Sequence, residues 1–236
     1  MKECSQSPGE LISRSTQADP ENDFSPYMEE LPRDSSHRGW HKPAKLPHFD
    51  AAKTYQLITY RLADSLPKTK LAQIELELKT VDPERIDAER RRKIEAWLDA
   101  GHGSCMLRHD PCAQIVVDAW QHFHGSRYRL IAWTVMPNHV HVLIQQMEGY
   151  RLSDIVASWK KYTARKINAL VGSANGCSGE QPTRKTRHLW QRDYWDRFIR
   201  NQSHFEQAID YILNNPVKAG LVTPPQDWPW SGAKLD

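Results

Sequence analysis

The sequence predicts an α+β fold, a ferredoxin-like antiparallel sheet covered by helices, with a helical insertion and a disordered N-terminal tail. Three observations carry this. Apolar periodicity runs strand, helix, strand, strand, helix, strand, helix along residues 47–236. The two middle strands are separated only by Pro137-Asn138, which suits an antiparallel pair inside a split βαβ arrangement. Helices and strands alternate without repeats, as a sheet with helices packed on it requires.

The elements follow in order. Residues 1–46 are rich in Ser, Pro, Asp and Glu and lack apolar periodicity, the composition of a disordered tail. Residues 54–62 (TYQLITYRL) mix β-branched and aromatic residues and read as the first strand, closed by Pro67. Residues 71–101 are helical and highly charged, divided by Pro83, with Asp82 as an N-cap and Gly101 as the stop. Lying between the first strand and the next helix, residues 68–101 read as an insertion, and a solvated face is the preferred reading of their arginines over nucleic-acid contact. Residues 111–124 form the next helix, with Ile115, Val116, Ala119, Trp120 and Phe123 at helical spacing; His122 and His124 end it as surface residues.

Residues 128–136 and 139–146 are the two middle strands. Residues 152–171 form an amphipathic helix, with Lys160, Lys161, Arg165 and Lys166 opposite its apolar side. Residues 172–187 are a loop, 195–199 a short strand, and Ser203 caps a last helix that ends at Asn214-Asn215-Pro216. The segment LVTPPQDWPWSG has the Pro and Trp content of a packed extended stretch.

Composition narrows the function. No apolar run approaches the ~20 residues of a membrane span, and MKECSQSPGE lacks a signal-peptide core. The four cysteines, Cys4, Cys105, Cys112 and Cys177, form no C-x-x-C pair, which suits reduced thiols in a cytoplasm. Charge is uneven: residues 1–40 hold four Lys/Arg against eight Asp/Glu, and residues 151–200 hold eleven against four. The second excess suits a polyanion. The nine tryptophans suit either base stacking or a core; Trp190, Tyr194 and Trp195 are the stacking candidates.

The chemistry centres on HVH. A strand points residues i and i+2 to one face, so His139 and His141 project together, while Val140, Val142 and Ile144 take the core side. The histidines are therefore expected to face away from the core. Two adjacent imidazoles are half of a divalent-metal site. Tyr211 and Asn215 lie four apart on the last helix and share a face, offering a phenol nucleophile and an amide oxygen suited to Mg²⁺ or Mn²⁺. Tyr162 stays open as the alternative nucleophile, although Lys166, one turn on, cannot ligate a metal while charged.

The segments YRLIAWTVMPNHVHVLIQ, LWQRDYWDRFIR, AIDYILNNPVKAGLV and DWPWSG resemble the HUH single-tyrosine transposases, in the REP-associated tyrosine branch of the IS200-like group, over residues 47–233. The resemblance implies a ferredoxin-like fold acting on single-stranded or hairpin DNA. It implies His139, His141 and Asn215 as ligands of Mg²⁺ or Mn²⁺ and Tyr211 as the nucleophile. Lys160, Lys161, Arg165, Lys166, Arg184, Lys185 and Arg187 would hold phosphates. A DNA-binding module without nuclease activity and a hydrolase of small phosphoesters are the rival readings.

Overall fold

The computed structural model of the chain describes residues 37–42, 46–174 and 188–234. Five antiparallel strands form the central sheet, in the order β6-β3-β5-β4-β7: β3 (Tyr55–Arg61), β4 (Tyr128–Val135), β5 (His139–Gln146), β6 (Trp195–Phe198) and β7 (Ser231–Ala233). Without β7 this is the strand order of a split βαβ pair, as the alternation of elements implied. The first, second and third elements begin within a residue or two of their expected bounds.

Helices cover both faces. On one, α3 (Asp110–Gln121) and α4 (Leu152–Ala174) pack over Ile58, Tyr60, Val140, Val142 and Ile144 with Val116, Trp120, Ile155 and Trp159. On the other, α5 (Gln202–Lys218) lays Phe205, Ala208, Ile209 and Ile212 on Tyr55, Leu57, Ile131 and Leu143. A register shift between Leu130 and Ala132 lets Ile131 and Ala132 both join this second core, the turning effect of a bulge. Truncating the fully buried Ile212 to Ala would cost about 2–5 kcal/mol.

Helices α1 (Lys68–Glu77) and α2 (Ile86–Asp99) form the insertion. It has a small core of its own, Leu66, Ile74, Leu78, Ile94 and Leu98, joined at its border by Trp195. Pro83 stands at the start of a 3-10 turn between the helices, after Asp82, whose side chain makes no capping bond. Gly101 at φ +72° ends α2, a conformation that glycine adopts without Cβ strain.

Four sequence expectations are corrected. The segment up to 46 is not wholly without structure: β1 (Gly39–His41) pairs antiparallel with β2 (His48–Asp50); the rest of the expected tail, residues 1–36 and 43–45, lies outside the described residues. Helix α5 is capped by Asn201, which accepts from the His204 N–H at 2.9 Å, rather than by Ser203. It also runs past Pro216 to Lys218, which leaves Asn215 helical; a proline this late removes one backbone bond without ending the helix. His124 is not a free surface residue, because its Nδ1 accepts from the Leu130 N–H at 2.9 Å.

The Trp-Pro-rich end supplies a strand that periodicity did not reveal. Trp228 Nε1 donates to the Val135 carbonyl at 3.0 Å and steers residues 231–233 onto β4. Gly232 is required there, since a Cβ would come within 2.4 Å of the Trp133 ring. No helix among the described residues is long and apolar enough to cross a membrane.

Candidate active site

Because β5 alternates, Val140 and Val142 enter the first core while His139 and His141 point to the face that α5 covers. Both imidazoles are only 1% exposed. The expectation that they face away from the core therefore fails: the sheet is covered on both sides, and the second cover is helix α5 with the end of α2.

Each ring is oriented through its Nδ1. Asn138 Oδ1 accepts from His139 Nδ1 at 2.7 Å, and Thr59 Oγ1 lies 2.8 Å from His141 Nδ1. The amide of Asn138 donates to the carbonyls of Leu98 at 3.1 Å and His102 at 2.8 Å, which fixes which end of that carboxamide meets the imidazole. Thr59 is the cross-strand partner of His141 on β3. With the Nδ1 atoms engaged, the two Nε2 atoms meet at 3.1 Å. Two nitrogen lone pairs at that distance require a proton or a cation between them.

The electrostatics keep the rings neutral. Burial, and then the Lys218 ammonium, pushes His139 down to about 3. Burial, His139 and Lys218 likewise hold His141 well below its usual value. Neutral imidazole is the metal-binding form.

Helix α5 brings the other two expected residues to the same place. The Tyr211 hydroxyl stands 3.5 Å from His141 Nε2, with ring centroids 5.0 Å apart. Asn215 is 1% exposed, and neither its Oδ1 nor its Nδ2 has a hydrogen-bond partner among the described residues. Leaving a buried amide unpaired costs about 1–3 kcal/mol, so its oxygen is open for a ligand. Burial, with Glu95 and Asp99 adding to it, raises the Tyr211 phenol far above its ordinary value, while Arg197 and the neighbouring Asn215 side chain act the other way.

Three of these neighbours were missed from sequence. Asp99, at the end of α2, places Oδ1 3.8 Å from His139 Nε2 and Oδ2 3.1 Å from Lys218 Nζ. Glu95 lies one turn earlier on α2, and burial raises its carboxyl. All three sat in stretches read as solvated or as a helix end. The i, i+4 spacing of Glu95 and Asp99 was the available signal. Among the described residues no three His, Cys, Asp or Glu side chains form a metal cage. The oxygens that could join the two imidazoles in holding a cation are those of Asn215 and, after a small movement, Asp99.

The competing tyrosine is elsewhere. Tyr162 is 40% exposed on α4, across the sheet from the histidines, with Lys166 Nζ 5.8 Å from its ring centroid. Lys161, Arg165 and Lys166 are exposed on the same helix. Lys160 departs from the expectation of a free phosphate-binding residue. Its ammonium donates to the carbonyls of Gln191, Arg192 and Asp193 at 3.1–3.2 Å, and burial lowers it to about 8. Arg184, Lys185 and Arg187 lie outside the described residues. Of the stacking candidates, Trp190 is buried and bonded to Thr163 Oγ1 at 2.8 Å, Tyr194 packs on His48, and Trp195 borders the insertion core.

The chain is similar to known proteins over the stretch that builds this site. Residues 114–215 match the family described as "Transposase IS200 like", a span that contains His139, His141, Tyr211 and Asn215. A REP-associated tyrosine transposase of Escherichia coli (strain K12) is 32% identical over 104 residues, covering 44% of this chain and 53% of that protein. A Haemophilus influenzae protein provisionally given the same name is 30% identical over 112 residues, covering 46% and 61%. The chain thus spans little more than half the length of the curated relatives it matches. A solved structure described as "Structure of the REP associates tyrosine transposase bound to a REP hairpin" aligns at 20% identity and TM-score 0.44, over 80% of this chain and 81% of that one. Over residues 114–215, the stretch that builds the paired-histidine site, this chain is similar to the IS200-like transposases and to REP-associated tyrosine transposases among them.

Proposed function

We propose that the chain is a transposase that nicks and rejoins single-stranded DNA, beside hairpin or repeat sequences, through a covalent link to Tyr211. The observation that carries the reading is the Tyr211 hydroxyl 3.5 Å from Nε2 of a buried, neutral His141. An unpaired Asn215 amide one turn further along the same helix supports it.

In this reading the phenolic oxygen attacks phosphorus as the bond to the 3′ oxygen breaks. A 5′-phosphotyrosine and a free 3′-hydroxyl result, and the reverse attack rejoins the strand. His139, His141 and Asn215 would hold Mg²⁺ or Mn²⁺, which polarises the scissile phosphate and offsets its developing charge. The donors fit: two imidazole Nε2 atoms facing each other at 3.1 Å, where a cation would replace the proton between them, and an amide oxygen with no hydrogen-bond partner among the described residues. Burial keeps the phenol protonated at rest, so its proton must leave as attack begins. It passes to solvent beside the Glu95 and Asp99 carboxylates, whose charge the phenol senses, and the leaving 3′ oxygen takes up a proton from solvent. Arg197 favours the phenolate. Lys161, Arg165 and Lys166 present a separate basic surface, across the sheet, for phosphates away from the scissile one; Arg184, Lys185 and Arg187 are assigned to the same task.

Covalent trapping on single-stranded DNA tests the proposal. A denaturation-resistant protein–DNA band is expected with Mg²⁺ or Mn²⁺, and none after chelation. Tyr211→Phe should abolish it and Tyr162→Phe should not. A band that maps to Tyr162, or that survives in Tyr211→Phe, would overturn the assignment. Binding without any band in the unaltered protein would favour a non-catalytic DNA-binding module.

A further inference from the structure

A groove of roughly 980 Å³ follows the edge strand β6, lined by the β1–β2 hairpin, the end of β3 and the insertion. Its inner end includes Thr59, the residue that holds His141. Its charges are not balanced. Arg90 spends itself on Glu75 at 2.9 Å and Asp87 at 2.6 Å, and Asp193 and Asp196 are both engaged by His48. That leaves Arg91 from α2, with Arg197 from β6 and Arg200 just before α5, lining the same groove with no ion pair among the described residues. Arg61, also in the lining, is buried and, among the described residues, bonded to the Leu62 carbonyl and Ser65 Oγ and to no carboxylate.

We propose that this groove grips the backbone of a single-stranded polynucleotide, with Arg91, Arg197 and Arg200 contacting successive phosphates and Trp40 stacking on a base. Converging guanidiniums repel one another unless an anion lies among them. Burial, and then Arg91, press the Arg197 guanidinium below its usual range, and Glu95 nearby offsets this without pairing. Trp40 is 65% exposed at the groove wall, a costly placement for an indole whose ring partner among the described residues is the tilted Phe49 ring at 5.1 Å. Exposed aromatics beside a basic track are how single strands are held without sequence preference.

The insertion thereby acquires a function. Its run of basic residues is mostly the solvated face the sequence suggested: Arg90, Arg92 and Lys93 are each tied to a carboxylate. Arg91 is the exception, and it faces the groove that leads to the histidines. The inference rests on the reading of the chain as a single-strand DNA enzyme, and it adds the path by which the strand reaches Tyr211.

The test is fluorescence anisotropy of a labelled single-stranded oligonucleotide of about 25 nucleotides, titrated with salt, alongside the trapping assay. Each phosphate contact on a single strand adds about 0.7 to the slope of log K against log salt. Arg91→Gln with Arg200→Gln should lower the slope by about 1.4 and weaken binding at least tenfold, with Trp40→Ala weakening it at an unchanged slope. Arg90→Gln, one residue away but ion-paired, should leave the slope alone. An unchanged slope in the double variant, while the unaltered protein still binds and forms its adduct, overturns the groove and leaves the enzyme reading standing. A slope that falls as expected in a protein that never forms an adduct sinks the enzyme reading and keeps the groove. A protein that binds no single strand overturns both.

Discussion

Asn138 joins the insertion to strand β5: its Oδ1 accepts from His139 Nδ1 at 2.7 Å while its amide donates to the carbonyls of Leu98 and His102. The orientation of one imidazole thus depends on helix α2 being in place. Residues that hold a ligating histidine by its second nitrogen typically change metal affinity by about 10–100-fold when removed. Asn138→Ala should weaken Mn²⁺ binding by that order in calorimetric titration. It should also speed amide exchange at the C-terminal end of α2. Unchanged affinity would mean that the strand alone orients His139.

Asp99 and Lys218 should have opposite effects on the same measurement. Asp99 puts negative charge beside His139, and Lys218 Nζ stands 3.1 Å from that carboxylate. Asp99→Ala removes the anion and leaves the ammonium facing the imidazoles, so Mn²⁺ affinity should fall roughly tenfold, about 1.4 kcal/mol. Lys218→Met should raise it. A rise in both variants, or a fall in both, would contradict this arrangement.

The pH dependence of the metal-free protein has a definite sign. His139 is pushed down to about 3 from 6.5, so between those values the unfolded chain binds a proton there that the folded chain does not. Stability should therefore rise with pH through this window, by up to about 1.4 kcal/mol per unit for each such imidazole, and level off above 6.5. His141 shifts in the same direction. Urea unfolding with chelator at pH 4, 5, 6 and 7 measures it. His139→Ala should show a shallower rise, and an identical slope would place the titration elsewhere.

The basic helix α4 should divide by residue. Lys160 satisfies three backbone carbonyls, and leaving buried acceptors without a donor costs about 1–3 kcal/mol. Lys160→Met should lower the unfolding midpoint without altering the salt dependence of DNA binding. Lys161→Gln, Arg165→Gln and Lys166→Gln together should do the reverse. A Lys160 variant with native stability and a flattened salt plot would return it to the DNA-binding set.

Much of this was legible in the sequence because it rests on local periodicity. The i, i+2 spacing of His139 and His141 fixes a shared face whatever the sheet does, and the i, i+4 spacing of Tyr211 and Asn215 survives any packing of the helix. Alternation could not show that the histidine face would be covered. Whether α5 lies over that face depends on contacts between residues 60 positions or more apart, such as Tyr211 with His141. Asp99, Glu95 and Lys218 were invisible for the same reason: a charged residue on a charged helix looks solvated until its neighbours are known. Trp40 was overlooked because its surroundings have the composition of a tail.

The last strand has a consequence for how the protein is handled. Among the described residues, the outer edge of β4 is taken up by residues 228–234: 231–233 pair with Ala132, Trp133 and Thr134, flanked by bonds from the Val135 N–H to the Trp230 carbonyl and from the Lys234 N–H to the Ile131 carbonyl. A chain cut short before Ser231 would bare a row of backbone donors and acceptors on a long, apolar strand, a template onto which a second molecule can add. A tag fused close to Ala233 would strain the same seam. Solubility on storage, more than activity, is where such a truncation or fusion would first show itself.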